Sequence, residues 1–135
     1  MTKQSPKSAR KTVFEAVVPI LFVSNVTATA DFFVEKLGFE IDFFYGTPPF
    51  YGSVSRDGVC LHLRFVHQPV FVEAAAREES LIVASFEVSD VQGLFAEFQE
   101  RGADIVQNLV QHDWGGTDFH VRDPDGNVVS FVTYG

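Results

Sequence analysis

At 135 residues with 46% hydrophobic side chains, the chain has room for one domain with a substantial core and is too apolar for intrinsic disorder. Its net charge is −8, and the first eleven residues hold Lys3, Lys7, Arg10 and Lys11 with no acid, so the remainder is more acidic still; this argues against nucleic acid, which is bound by neutralising phosphates, and mildly favours cationic ligands. The longest apolar run, AVVPILFV from Ala16 to Val23, is far short of the roughly 20 residues a membrane-spanning helix needs, no secretory signal is visible, and a lone Cys60 excludes an internal disulfide framework, so a cytoplasmic protein is expected.

Residues 1–12 read as a solvated basic tail. The apolar run then predicts a strand, and Val23-Ser24-Asn25-Val26 leads into ATADFFVEKLG, where Phe32, Phe33 and Leu37 recur at helical spacing. Asn25 or Thr27 is the candidate N-cap and Gly38 the C-cap. FEIDFFY and YGSVSRDGVCLHLRF follow as three strands, the last two joined by an Asp57-Gly58 turn. Residues 68–80 read as a linker with room for a short helix. The pattern then repeats at an offset of 65: LIVASFEV as a strand, Val88-Ser89-Asp90-Val91, a helix with Leu94, Phe95 and Phe98, a C-cap at Gly102, and three more strands ending on an Asp125-Gly126 turn. Asp90 or Ser89 is the second candidate N-cap. Asp123-Pro124-Asp125-Gly126 is fully explained as turn chemistry rather than an acid–base pair.

Each half is thus strand–helix–three strands, and one helix covers only one face of its sheet. The expected fold is α+β: two βαβββ modules, residues 13–67 and 81–135, pairing their sheets around a cleft with the helices outside. Whether the modules pair within one chain or between two is left open by the sequence. Fifteen phenylalanines exceed what so small a core needs, so some are expected at a groove or an oligomer interface.

The opening VPILFVSNVTATADFFVEKLGF and the closing WGGTDFHVRDPDGN resemble the vicinal oxygen chelate superfamily of glyoxalases, extradiol dioxygenases, fosfomycin-resistance enzymes and bleomycin-resistance proteins. Trp114-Gly115, Asp118-Phe119, the VRDP run and LGFEIDFF are most similar to the bleomycin-resistance type. Metal-dependent members place ligands at four repeat-related positions, in the first and last strand of each half. On this chain the resemblance puts those positions at Val18, His62, Val83 and Ser130. Only His62 of these ligates a divalent ion well, whereas such sites need three or four N, S or O donors. No metal or other cofactor is therefore expected. A relocated metal site drawing on His112, His120, Asp113, Asp118 or Glu87 stays as the alternative.

Strand alternation places Cys60, His62 and Arg64 on one face. His62 and Arg64 are candidates for gripping a ligand anion, or else are satisfied structurally, for example by an Arg64–Glu87 pair. No nucleophile motif accompanies Cys60 and His62. The resemblance implies that Trp114, Phe39 and Phe43 line a ligand groove, with Ser130 beside it. Tyr45, Phe50 and Tyr51 are candidates for its rim or for a dimer interface. The reading is a homodimer that binds a small molecule without a metal, by implication a flat cationic antibiotic such as bleomycin, with no nucleic-acid or membrane partner. The alternative is a metal-dependent enzyme of the glyoxalase or dioxygenase type.

Overall fold

The computed structural model describes residues 11–78 and 81–135. The basic residues at positions 3, 7 and 10 lie outside it. The N-terminal module comprises β1 (Ile20–Val23), α1 (Val26–Leu37), β2 (Glu40–Tyr45), β3 (Tyr51–Arg56) and β4 (Val59–Phe65). A linker helix, α2 (Val70–Arg77), leads to β5 (Ala84–Glu87), α3 (Val91–Arg101), β6 (Ile105–Gln111), β7 (Gly116–Arg122) and β8 (Val128–Tyr134). Each module folds into a four-stranded sheet of the same topology, β1-β4-β3-β2 (sheet A) and β5-β8-β7-β6 (sheet B), with one parallel pair and two antiparallel pairs. The duplicated βαβββ architecture is the one expected.

The helix boundaries follow from the capping residues. Asn25 accepts from the Ala28 N–H and Asp90 from the Gly93 N–H, each satisfying a donor that the first turn leaves unpaired. Both helices stop at a left-handed glycine, Gly38 (φ 71°) and Gly102 (φ 77°). Gly38 has a second reason to be glycine: a Cβ there would meet the Arg56 guanidinium at 2.9 Å.

Between these caps, Val26, Ala30, Phe33 and Leu37 form one buried stripe on α1, as Val91 and Phe98 do on α3. The stripes meet Val54, Leu61 and Leu63 of sheet A and Phe119, Val121, Val129 and Phe131 of sheet B in a single continuous core. Phe33, Phe98 and Phe119 have no solvent exposure, and each contributes about 1.5–3 kcal/mol by burial.

Two polar joints tie the modules together. At the C-terminal ends of the helices, Arg56 donates to both carboxylate oxygens of Glu97 (2.9 Å each) and to the Leu37 carbonyl, while Arg101 donates to Glu97 and to the Glu35 carbonyl. These guanidinium groups sit at the negative end of the α1 dipole. The hydrogen bond from Arg56 drives the Glu97 pKa below its usual value against the opposing effect of burial. At the other joint, the β7–β8 turn hooks onto the end of β1: Asp125 accepts from the Ser24 N–H and hydroxyl, and Asn127 donates to the Phe22 carbonyl.

Among the described residues the modules meet through α1 and α3 and through these joints, with no extensive close backbone contact between strands of the two sheets. Each sheet keeps a face free of α1 and α3, although Phe71 of α2 stacks on Phe22 at the β1 edge of that face in sheet A, ring centroids 6.0 Å apart. The segment before β1 departs from expectation. Residues 11–19 carry no regular secondary structure, so the strand predicted from Ala16 begins only at Ile20. Val13, Phe14 and Val17 are 72%, 99% and 93% exposed. Of its backbone groups, the Pro19 carbonyl accepts from the His62 N–H of β4 at 2.9 Å, which carries the β1–β4 pairing one residue ahead of β1.

The turn that forms the second joint also carries a pH signature. Asp123 accepts from the backbone of Asp125 and Asn127 and from the Asn127 side chain, yet burial outweighs these donors and pushes its pKa up to about 6. In the unfolded chain the same carboxyl titrates near 3.9. Between these values the folded state holds the proton and the unfolded state does not, so this group's stabilising contribution falls as pH rises from about 4 to about 6, by up to about 3 kcal/mol. Whatever constant cost Asp123→Asn carries, it should flatten the dependence of Tm on pH across that window, as measured by thermal melts. An unchanged slope would place the titration elsewhere.

Candidate functional site

The face of sheet A turned away from α1 is built by register. Ile20, His62, Ser53 and Phe43 lie in one row across β1, β4, β3 and β2, and Arg64 and Tyr51 lie in the next. A bulge between Ile41 and Phe43 lets two successive side chains, Asp42 and Phe43, serve this face. Asp42 accepts from the hydroxyls of Ser53 (2.9 Å) and Ser55 (2.7 Å). The Phe43 ring meets the His62 imidazole edge-on at 5.8 Å, and the Tyr51 hydroxyl is 2.8 Å from His62 Nδ1. Arg64 projects into solvent, donating only to the Phe65 carbonyl; it makes no ion pair with Glu87. Beside it, a cavity of about 400 Å³ opens among Phe50, Tyr51, Arg64 and His67. Cys60 shares the face, as alternation predicts, but its sulfur contacts Ser53 Oγ at 3.4 Å rather than His62.

The corresponding face of sheet B carries Asp118, His120 and Ser130, with Ser130 opposite both His120 and Ser85. Asp118 is the hub. Gln107 and His112 donate to one of its oxygens at 2.9 and 2.7 Å, and His120 lies 3.3 Å from the other. Burial alone would raise the Asp118 pKa, but the hydrogen bonds from His112, Gln107 and His120 together hold it below the usual value. The Asp118–His112 contact also fixes the neighbouring indole. His112 stacks on Trp114 at 4.8 Å with 10° between the planes, and Tyr134 flanks Trp114 at 5.8 Å. Trp114 is still 60% exposed, so it offers its other surface outward. Gly115 supplies the turn with φ 102°, and Gly116 is required because any Cβ there would run into the indole. Gln107 and Asp42 were not legible from the sequence: both lie in strands with register shifts, where parity no longer reports the face.

Two placements expected from the sequence are corrected. Phe39 is not in a groove with Phe43: it is 5% exposed and packs edge-on against Phe33 at 5.2 Å, in the core. Being the residue just after Gly38 and ahead of the β2 bulge, it lies on the helix side, whereas Phe43 lies beyond the bulge. Val18 and Val83 precede β1 and β5 rather than lying within them, because these strands are only four residues long. The residues in register with His62 and Ser130 are Ile20 and Ser85.

Neither description of the four positions supplies the donors for a divalent ion. Hydrocarbon stands at Val18 and Val83, a single hydroxyl at Ser130, and His62 is engaged by Tyr51. Among the described residues no three His, Cys, Asp or Glu side chains form a metal-binding group. The superfamily's metal site does not fit this chain. Ser130→Glu should therefore fail to confer stoichiometric zinc uptake in metal analysis of the purified variant; tight uptake would mean the four positions had been misassigned.

A duplicated βαβββ fold, with aromatic, histidine and carboxylate side chains on the sheet faces away from α1 and α3, defines a class of paired-module α+β proteins. The family model described as the Glyoxalase/Bleomycin resistance protein/Dioxygenase superfamily matches residues 14–131, and the chain belongs to that superfamily. Among solved structures it is similar to a bleomycin-binding protein from bleomycin-producing Streptomyces verticillus, complexed with copper(II)-bleomycin, at 28% identity and a TM-score of 0.73 over 93% of this chain and 99% of that one. TioX from Micromonospora sp. ML1 shares the fold at 24% identity and a TM-score of 0.70, over 90% of this chain and 99% of that one. So does a glyoxalase-related enzyme from Clostridium phytofermentans, at 19% identity and a TM-score of 0.72, over 93% and 98%. No curated protein matches the chain significantly in sequence.

Holding Trp114 flat against His112 depends on Gly116. Gly116→Ala should dislodge the indole and abolish its near-ultraviolet circular dichroism band, the chain having only one tryptophan. Gly58→Ala, where a Cβ meets nothing within 4 Å, should leave the band intact.

Proposed function

We propose that the protein is a binding protein for a flat, cationic small molecule of the bleomycin type, acting by sequestration as a homodimer in the cytoplasm, without a metal of its own. The observation that carries this reading is the pair of sheet faces turned away from α1 and α3, between which the described residues show no extensive close backbone contact. Each presents aromatic and polar side chains suited to half a cleft. A second copy would close sheet A of one chain over sheet B of the other. That arrangement brings Phe43, His62, Tyr51 and Arg64 opposite Trp114, Asp118, His120 and Ser130. Residues 11–19, with Val13, Phe14 and Val17 exposed, supply an apolar strip for a second copy to cover.

The chemistry of the two walls suits a planar ligand. Trp114 offers an indole already braced by His112, so little ordering cost remains on stacking. The acidic body of the chain favours a positive charge, and stacking with cation–π attraction needs no bond to be made or broken. The similarity to a bleomycin-binding protein supports this ligand class. The alternative, an enzyme with a relocated metal, draws on the convergence of His112, Asp118 and His120. Against it, both Asp118 oxygens already accept hydrogen bonds.

Titration of the purified protein with bleomycin, metal-free and copper-loaded, tests the reading. Saturation near one ligand per chain is expected, with Trp114→Ala weakening affinity by about 1–2 kcal/mol. Absence of saturable binding, or an activity that is lost to a chelator and restored by a divalent ion, would overturn it.

A further inference from the structure

The ring that holds Trp114 in place is itself titratable. The turn carrying both residues is fixed by its backbone: the His112 N–H donates to the Gly116 carbonyl at 2.8 Å, and the Gly115 N–H donates to the His112 carbonyl at 3.0 Å. The imidazole thereby lies flat on one face of the indole, with centroids 4.8 Å apart and planes 10° apart, and the indole stays exposed on its other side. His112 Nε2 donates to Oδ1 of the buried Asp118 at 2.7 Å. Nδ1 has no hydrogen bond among the described residues, and the ring is only half-buried. It is the nitrogen that takes up a second proton.

Few charged or titratable groups surround this imidazole. From β7, Asp118 accepts from it, and His120 lies against the other Asp118 oxygen. From β6, the neutral Gln107 amide shares Asp118 Oδ1. From β8, Tyr134 flanks the indole, and Asp113 is exposed in the turn itself. In the dimer proposed above, His62 and Arg64 of a second copy would face this wall across the cleft. No lysine or arginine pairs with Asp118 among the described residues. With both imidazoles neutral, the Asp118 charge is uncancelled and favours a cation on the outer indole face. Histidine changes charge near neutral pH. A proton on His112 cancels the Asp118 charge and sets a cation against the inner indole face, where the ring quadrupole attracts it. A second cation arriving on the outer face then meets repulsion in place of attraction.

We propose that His112 is a proton-operated specificity switch for Trp114: neutral, it leaves the outer indole face to a flat cation, and protonated, it takes the cation–π position itself. Cation affinity at this face therefore falls as pH falls through the imidazole titration. By linkage, a cation bound there expels the proton. The switch deepens the function proposed above and rests on its use of Trp114 as the stacking surface, but not on the ligand being bleomycin. His112 acts through the indole and so is a positioning residue that also sets charge preference.

Fluorescence quenching of the single tryptophan tests this in the full chain, with ring-methylated nicotinamide as the flat cation and nicotinamide as its uncharged counterpart. From about pH 5 to about pH 8, the cation's quenching constant relative to the neutral probe's should rise about two- to fivefold. His112→Phe keeps a ring on the indole, so the circular dichroism band of Trp114 should survive while the ratio becomes independent of pH. A ratio that does not move with pH in the wild-type chain overturns the switch, and this result needs no variant to fold. A rise that persists in His112→Phe overturns it too, by assigning the titration to His120 or another group. Failure of the two proposals is distinguishable: a chain that does not bind bleomycin but keeps the pH-dependent ratio loses the ligand proposed above and retains the switch.

Discussion

A four-stranded sheet has two faces, and each module of this protein has one helix with which to cover them. That constraint governs the rest of the structure. α1 and α3 cover one face apiece and then pack on each other, so the continuous hydrophobic cluster lies on the helix side of both sheets, with Val132 buried on the opposite face of sheet B beside Asp118. The remaining faces carry what a core rejects: a histidine bonded to a tyrosine on one, and a carboxylate holding two histidines and a glutamine on the other. In a small domain such polar groups persist only if each is satisfied, and here the networks are closed by short hydrogen bonds. The functional surface is thus a by-product of how the fold buries its apolar residues.

The aromatic residues divide along the same line. Phe98, Phe119 and Phe131 form a cluster of edge-on and stacked contacts in the core, where Phe33 meets Phe39 edge-on. Trp114, Tyr45, Phe50 and Tyr134 remain exposed, as does Phe14 on the segment ahead of β1. An abundance of phenylalanine in a short chain therefore serves two purposes, and the second makes sense where another surface, a ligand or a second copy, meets the faces turned away from α1 and α3.

Most of the fold was legible in the sequence because its punctuation is chemical. Asn25 and Asp90 start the helices, Gly38 and Gly102 end them, and Asp57-Gly58 and Asp125-Gly126 turn the hairpins, each for a reason visible in one residue. The repeat then fixed the topology, since two copies of the same punctuation imply two copies of the same unit. The candidate site was legible only in part. His62 and Arg64 follow from alternation along a regular strand, and Trp114 and Phe43 from the resemblance. Phe39 was misplaced because the resemblance grouped it with Phe43, while a strand boundary and a bulge between the two put Phe39 in the core. Val18 was assigned to a strand that starts two residues later, because an apolar run looks the same whether it pairs in a sheet or lies exposed beside one. Gln107 and Asp42 sit at irregular registers, where only three-dimensional placement identifies the face.

On this account a cleft has one wall from each of two chains, a claim that mixing tests directly. One variant damages the sheet A wall (His62→Ala with Arg64→Ala) and another the sheet B wall (Trp114→Ala). Each alone has both clefts damaged. If walls come from different chains, unfolding and refolding the two together yields mixed dimers with one intact cleft, and calorimetric titration with bleomycin should show a fraction of sites at wild-type affinity. If the mixture binds no better than its two components measured separately, each cleft belongs to a single chain and the account fails.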